Sequence, residues 1–139
     1  MLDTTTVVAA IRSRDGASNL LVAWAIQRRY VALASVPLFF EYEAVATRPE
    51  HLRAAGLSAG EVCEALDALG DAVERVYLDF GWRPAARDAD DDMVIEAAVN
   101  GHADAIVTFN VRDFEDAAAR FGVRVVTPSR AVALLRVAR

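Results

Sequence analysis

Apolar and polar positions along this chain fall into short blocks whose period switches repeatedly between strand-like and helical. Met1–Asp3 reads as the tail of a first strand, and Thr5–Ile11 as the turn of helix that follows it. Across Ala17–Arg29 the apolar residues Leu20, Leu21, Trp24 and Ala25 recur at helical spacing. Val31–Val36 is an apolar run of strand length. Pro37 suits the first turn of the next helix, where its missing N–H has no bond to lose. That helix carries Leu38, Phe39, Tyr42 and Val45 on its apolar side. Pro49 predicts its end, because a proline disfavours the α conformation in the residue before it.

Ser58-x-x-Glu61 has the form of a capping box and opens a helix through about Val73. Val76–Leu78 reads as a short strand. Asp90 or Asp91 is expected to cap Met93–Val99, and Gly101 to stop it. Ala105–Thr108 and Val123–Thr127 read as buried strands, with Asp113–Phe121 as a short helix between them. Pro128–Val137 closes the chain as another helix. Alternation of this kind predicts an α/β fold with helices on both faces of a parallel sheet. There is no repeat, low-complexity tract or linker. The length of 139 residues suits one domain.

The acids gain meaning from this framework. Asp3, Glu41, the Asp88–Asp92 cluster and Asp113 each fall where a parallel sheet delivers residues to its carboxyl end, the edge at which such sheets gather ligands. Carboxylates brought together repel one another, so a fold that keeps them has a use for them. A hard divalent cation such as Mg2+ or Mn2+ is the common use, because these ions prefer oxygen ligands. Each acid also has a plainer reading. Asp3 can end a strand, the Asp88–Asp92 run can serve a helix N-terminus, and Asp113 can cap a helix from Phe114.

Composition narrows the picture. A net charge of −5 provides no broad electrostatic footprint for nucleic acid. All 15 basic residues are arginine, which a GC-rich codon bias, accounting for the abundant alanine too, explains more simply than selection for phosphate binding. No apolar run approaches the roughly 20 residues that span a bilayer. The start MLDTTT has neither a basic region nor an apolar core, which argues against export. The single Cys63 has no disulfide partner, so a reducing cytoplasm is the expected compartment. His51 and His102 lack a ligand-spaced partner, which disfavours zinc. Trp24, Phe39, Phe40, Tyr42 and Trp82 are expected in the core, Trp82 least securely.

Four stretches, taken in order, carry a resemblance. They are Asp3-Thr4, Phe40-Glu41-Tyr42-Glu43-Ala44-Val45, Arg87-Asp88-Ala89-Asp90-Asp91-Asp92-Met93-Val94, and Ile106-Val107-Thr108-Phe109-Asn110-Val111-Arg112-Asp113-Phe114. Together they resemble the PIN-domain family, and within it the toxin-like members of toxin–antitoxin pairs. The likeness runs from residue 3 to about Thr127. It implies a single PIN-like domain over 1–139, a three-layer α/β/α sandwich with a central parallel sheet of four or five strands. It also implies Mg2+- or Mn2+-dependent cleavage of RNA, a cognate antitoxin and a homodimer. The apolar residues most able to form a self-interface lie in Ala17–Arg29 and Ala131–Val137, where they equally suit a core.

Residue by residue, the resemblance makes Asp3 the first acid and Glu41 the second. The third is Asp91, with Ala98 seven residues on, or its neighbour Asp92. Asp113 and Asn110 are both candidates for the fourth position. Thr108 would orient a carboxylate or a water, Thr4 supports Asp3, and Arg112 or Arg87 could steady a phosphate. Two departures stand out. Thr5 occupies a position the family commonly gives to asparagine, and only Met1 and Leu2 precede Asp3, which predicts a stubby first strand or a late start. Two other aspartate-bearing classes, response-regulator receivers and haloacid-dehalogenase-like phosphatases, depend on a lysine that this chain lacks. A non-catalytic PIN-like binding module remains as the alternative.

Overall fold

The computed structural model describes residues 1–78 and 89–138, with residues 89–92 described by backbone alone. In chain order the elements are α1 (Thr4–Arg12), α2 (Ala17–Ile26), β1 (Leu33–Ser35), α3 (Val36–Ala46), α4 (Pro49–Ala55) and α5 (Ala59–Ala72). They continue with β2 (Glu74–Val76), α6 (Ala89–Asn100), β3 (Ala105–Val107), α7 (Val111–Ala119), β4 (Arg124–Val126) and α8 (Pro128–Val137). The fold is α/β and rich in helix. Asp88, Arg87 and Trp82 lie outside the described residues, as do the side chains of Asp90, Asp91 and Asp92.

β1 pairs in parallel with β2, and β3 with β4. Leu2 forms a further parallel bridge to Val107. In that bridge Val107 N–H donates to the Met1 carbonyl at 2.8 Å, and Asp3 N–H to the Val107 carbonyl at 3.0 Å. A strand residue sends its N–H and C=O to the same side, so those of Leu2 face away from β3. The Leu2 carbonyl is taken instead by the buried Tyr42 hydroxyl. A first segment this short, its outward carbonyl engaged by a side chain, forms a bridge rather than a full strand. Among the described residues the strands therefore stand as two parallel pairs and a bridge, where the sequence predicts one sheet of four or five strands.

Local signals hold where they are strongest. Ser58 Oγ accepts from Glu61 N–H and Glu61 returns the bond to Ser58 N–H, a complete capping box. Ser35 and Thr127 cap α3 and α8, each with a proline in the first turn. Other boundaries move. Pro49 opens α4 instead of merely ending α3, and the sequence reading had no helix there. β2 sits two residues before the predicted Val76–Leu78, because Val76 is the buried position that meets Ser35 while Tyr77 is 73% exposed. α6 begins ahead of Met93, so Asp90 and Asp91 lie inside its first turn and not in front of it. Likewise Asn110 stands at the N-cap of α7, and Asp113 lies within the first turn, its N–H donating to the Asn110 carbonyl.

The end of α6 corrects a further expectation. Ala103 N–H reaches the Ala98 carbonyl and His102 N–H the Val99 carbonyl, which makes His102, at φ 53°, the left-handed residue of a Schellman turn. Gly101 is needed for a different reason. A Cβ there would meet Val76 Cγ2 at 2.6 Å, so glycine lets α6 approach β2.

The core joins both sheet pairs to the helices through Leu38, Val62, Ile95 and Ile106, all fully buried. Trp24 and Tyr42 are buried and Phe39 partly so, but Phe40 is 65% exposed, contrary to expectation. α2 and α8 pack on each other, burying Leu21, Ala25, Ala131 and Val132. Of the apolar residues proposed for a self-interface, Ile26 and Val137 are left exposed.

Candidate functional site

Asp3 lies where the Leu2 bridge ends and α1 begins, and the threonine run after it decides how its carboxylate is held. It is 3% exposed. Its Oδ1 accepts from Thr5 Oγ1 at 2.7 Å, Thr6 N–H at 3.0 Å and Thr6 Oγ1 at 3.1 Å. From the far side of the bridge, Thr108 Oγ1 donates to Oδ2 at 2.6 Å. Thr6 also lies 2.9 Å from the Val107 carbonyl through the same hydroxyl, tying α1 to β3. A buried carboxylate is tolerated only with hydrogen-bond partners of this kind.

Thr4 faces the other way. Its hydroxyl donates to Glu41 Oε2 at 2.5 Å, bringing the second acid, in α3, beside the first. Tyr42 follows Glu41 and reaches Leu2, so adjacent residues of α3 grip the segment on either side of Asp3. Burial and then the charge of Asp3 push the Tyr42 phenol well above its ordinary range, which keeps it a neutral donor.

The Thr108–Asp113 stretch contributes unevenly. Thr108 is fully buried and touches Asp3 directly. Asn110 acts through its backbone, its N–H donating to Thr108 Oγ1 at 2.9 Å, while its side chain makes no cap bond and the residue is exposed. Asp113 and Arg112 are exposed in the first turn of α7. The structure thus brings together Asp3, Thr4, Glu41 and Thr108. Among the described residues no group of three or more His, Cys, Asp or Glu is placed to hold a metal ion.

The donor chemistry suits a hard cation. Asp3 Oδ1 takes Thr5 Oγ1 and Thr6 N–H and shares the single Thr6 hydroxyl proton with the Val107 carbonyl, but Oδ2 has one donor, leaving a lone pair on an oxygen of fixed direction. Three residues have places here that the sequence pattern does not predict. Thr6 and Tyr42 hold the Asp3 segment. Glu96, only 4% exposed in α6, is with Asp3 one of two buried acids among the described residues. The signal for Glu96 was an acid set between Ile95 and Ala97 in an otherwise apolar run. That for Thr6 was a third consecutive threonine after a helix-capping aspartate.

Parallel strand pairs flanked by helices, with Asp3 where the Leu2 bridge ends and Glu41 tied to the next residue, Thr4, define an α/β domain with acids at a strand end. The chain belongs to the PIN domain family, whose model matches residues 1–112. Members of that family are generally nucleases. No curated protein and no solved structure matches the chain.

Proposed function

We propose that this chain is a metal-dependent endoribonuclease that cleaves RNA phosphodiesters, and that it is the toxin of a toxin–antitoxin pair. The observation that carries the enzymatic reading is the Thr4–Glu41 bond, which sets a second carboxylate beside the buried Asp3. In this reading Asp3, Glu41, Asp91 and Asp113 hold Mg2+ or Mn2+, with Asp92 as the alternative third acid and Asn110 as an alternative at the fourth position. The ion supplies an acidified water and a counter-charge for the phosphate. Asp3 is the fixed ligand, because hydrogen bonds to both of its oxygens restrain the carboxylate. Glu41, held by Thr4, and Asp113, on the exposed first turn of α7, act through water or a second ion. Arg112, on that same turn, steadies the phosphate. The finer architecture belongs to the same reading: one sheet with Met1–Asp3 between β1 and β3, in a single domain over 1–139.

Incubating purified protein with single-stranded RNA in Mg2+, Mn2+ or EDTA tests the chemistry, with Asp3→Asn and Asp91→Asn as controls. Cleavage that needs the metal and is lost in both variants is the expected result. The alternative reading is a non-catalytic PIN-like binding module. RNA binding without cleavage in any metal would establish it. The toxin role predicts growth arrest on overexpression, relieved by Asp3→Asn, and co-purification of a small basic-tailed partner. A homodimer is expected by light scattering, and a monomer at micromolar concentration would rule it out.

A further inference from the structure

One face of α1 carries Thr5, Val8, Ala9 and Arg12, the i, i+3, i+4, i+7 spacing that aligns side chains along a helix. Facing it, α3 presents Glu41 and, one turn on, Val45, and α4 continues the wall with His51. Between them runs a groove of about 450 Å³, lined by Thr4, Thr5, Val8, Arg12, Val45 and His51 among others. Contacts across the groove mark its two ends. At one, Thr4 meets Glu41 at 2.5 Å; at the other, Arg12 Nη1 lies 3.4 Å from His51 Nδ1. Arginine has no acceptor, so in a hydrogen bond here Nδ1 accepts, and Nε2 is the ring nitrogen left to serve a ligand. The dipole of α1 favours a cation in its last turn but does not dictate direction. The guanidinium is turned across the groove.

In a chain of net charge −5, this groove joins an acidic site at one end to two nitrogen donors at the other. Thr4 to Arg12 spans about 12 Å of helix rise, too far for both ends to grip one phosphate. We propose, resting on the nuclease reading above, that the groove seats a flanking phosphate of single-stranded RNA on Arg12 and His51 while the scissile phosphate lies at Asp3 and Glu41. Arg12 provides a planar fork for two phosphate oxygens and His51 a further N–H. The groove thereby sets the polarity with which the strand crosses the site.

The test compares wild type, Arg12→Gln, His51→Ala and the distant charge control Arg120→Gln on an end-labelled single-stranded oligoribonucleotide in Mg2+. Fluorescence anisotropy against salt is read alongside cleavage, and circular dichroism checks folding. For Arg12→Gln, binding should weaken about tenfold and the slope of log affinity against log salt should fall by about 0.7, one phosphate contact to a single strand. A neutral methylphosphonate moved along the strand should weaken wild type at one linkage away from the cut and leave Arg12→Gln unaffected there. Unchanged affinity and slope in Arg12→Gln with cleavage intact would overturn the groove assignment and leave the nuclease reading standing. Weakened binding in a protein that cleaves nothing would support the groove while the nuclease reading fails. Absence of RNA binding in wild type, including the case where the groove captures an acidic protein segment instead, would overturn the assignment.

Discussion

Asp3 accepts two hydrogen bonds and a share of a third on one oxygen and one on the other, and that asymmetry makes individual donors testable. Among the described residues Thr108 alone donates to Oδ2, and it comes from 105 residues away. Thr108→Val keeps the shape and removes a hydrogen bond to a buried charge, at a cost of about 1.5–3 kcal/mol. We expect urea denaturation to show that loss, and RNA cleavage to fall about tenfold or more as Asp3 becomes free to turn. Unchanged stability would mean that Oδ2 already meets solvent. The tyrosines make a second prediction, about pH. Burial raises the Tyr42 phenol, reinforced by Asp3, and burial alone raises Tyr30, whose hydroxyl donates to the Leu21 carbonyl. Above the ordinary value of 10.0 the unfolded chain releases these protons and the folded one retains them. Stability from this source is therefore intact below about pH 10 and is lost as pH rises further. Alkaline titration should show both phenols ionising only with unfolding, and Tyr42→Phe should remove part of that dependence.

Helix ends show how magnitude separates similar-looking elements. α2 and α6 both close through Schellman turns with a non-glycine residue at positive φ, Arg28 at 58° and His102 at 53°. A left-handed residue with a Cβ costs about 1–2 kcal/mol, against an entropic cost for glycine of about 0.5–1 kcal/mol. His102→Gly should therefore stabilise by about 0.5–1 kcal/mol in thermal melts. Arg28→Gly should gain nothing, since the Arg28 guanidinium donates to the Asp71 and Ala72 carbonyls at the end of α5. Gly101→Ala should destabilise by about 1–3 kcal/mol, because its Cβ would run into Val76 and the backbone carbonyl of Ala97. An alanine tolerated at 101 would show that α6 can back away from β2.

For the whole molecule, carboxylates gathered as proposed would make metal and stability two sides of one measurement. If Asp3, Glu41 and Asp91 share an ion, Mg2+ at a hundred times its dissociation constant should stabilise the fold by about 2.7 kcal/mol. The same variant should then separate the two roles of the acidic cluster. Asp91→Asn should remove the Mg2+ effect on melting and, by relieving repulsion, melt no lower than wild type without metal. A lower melting temperature with no response to Mg2+ in either protein would assign the cluster to helix capping. Among the described residues no helix is long and apolar enough to cross a membrane.

Much of this protein was legible in its sequence because the relevant forces act over one helical turn. The Ser58–Glu61 box, the prolines at the starts of α3 and α8, and the α/β alternation depend on neighbours within four residues. The places of Asp3 ahead of α1 and of Glu41 inside α3 were legible too, since each follows an element that local pattern could find. Tertiary structure alone decided where hydrogen bonds went over long separations. Three consecutive threonines read alike in sequence, yet Thr4 turns to Glu41 and Thr5 and Thr6 turn back to Asp3. Nor could periodicity show that Tyr42 takes the Leu2 carbonyl, that β2 registers on Ser35 through Val76, or that Gly101 serves close approach while His102 makes the turn. The physical reason is that each of these contacts is specified by a partner far along the chain, and only packing sets which polar group meets which.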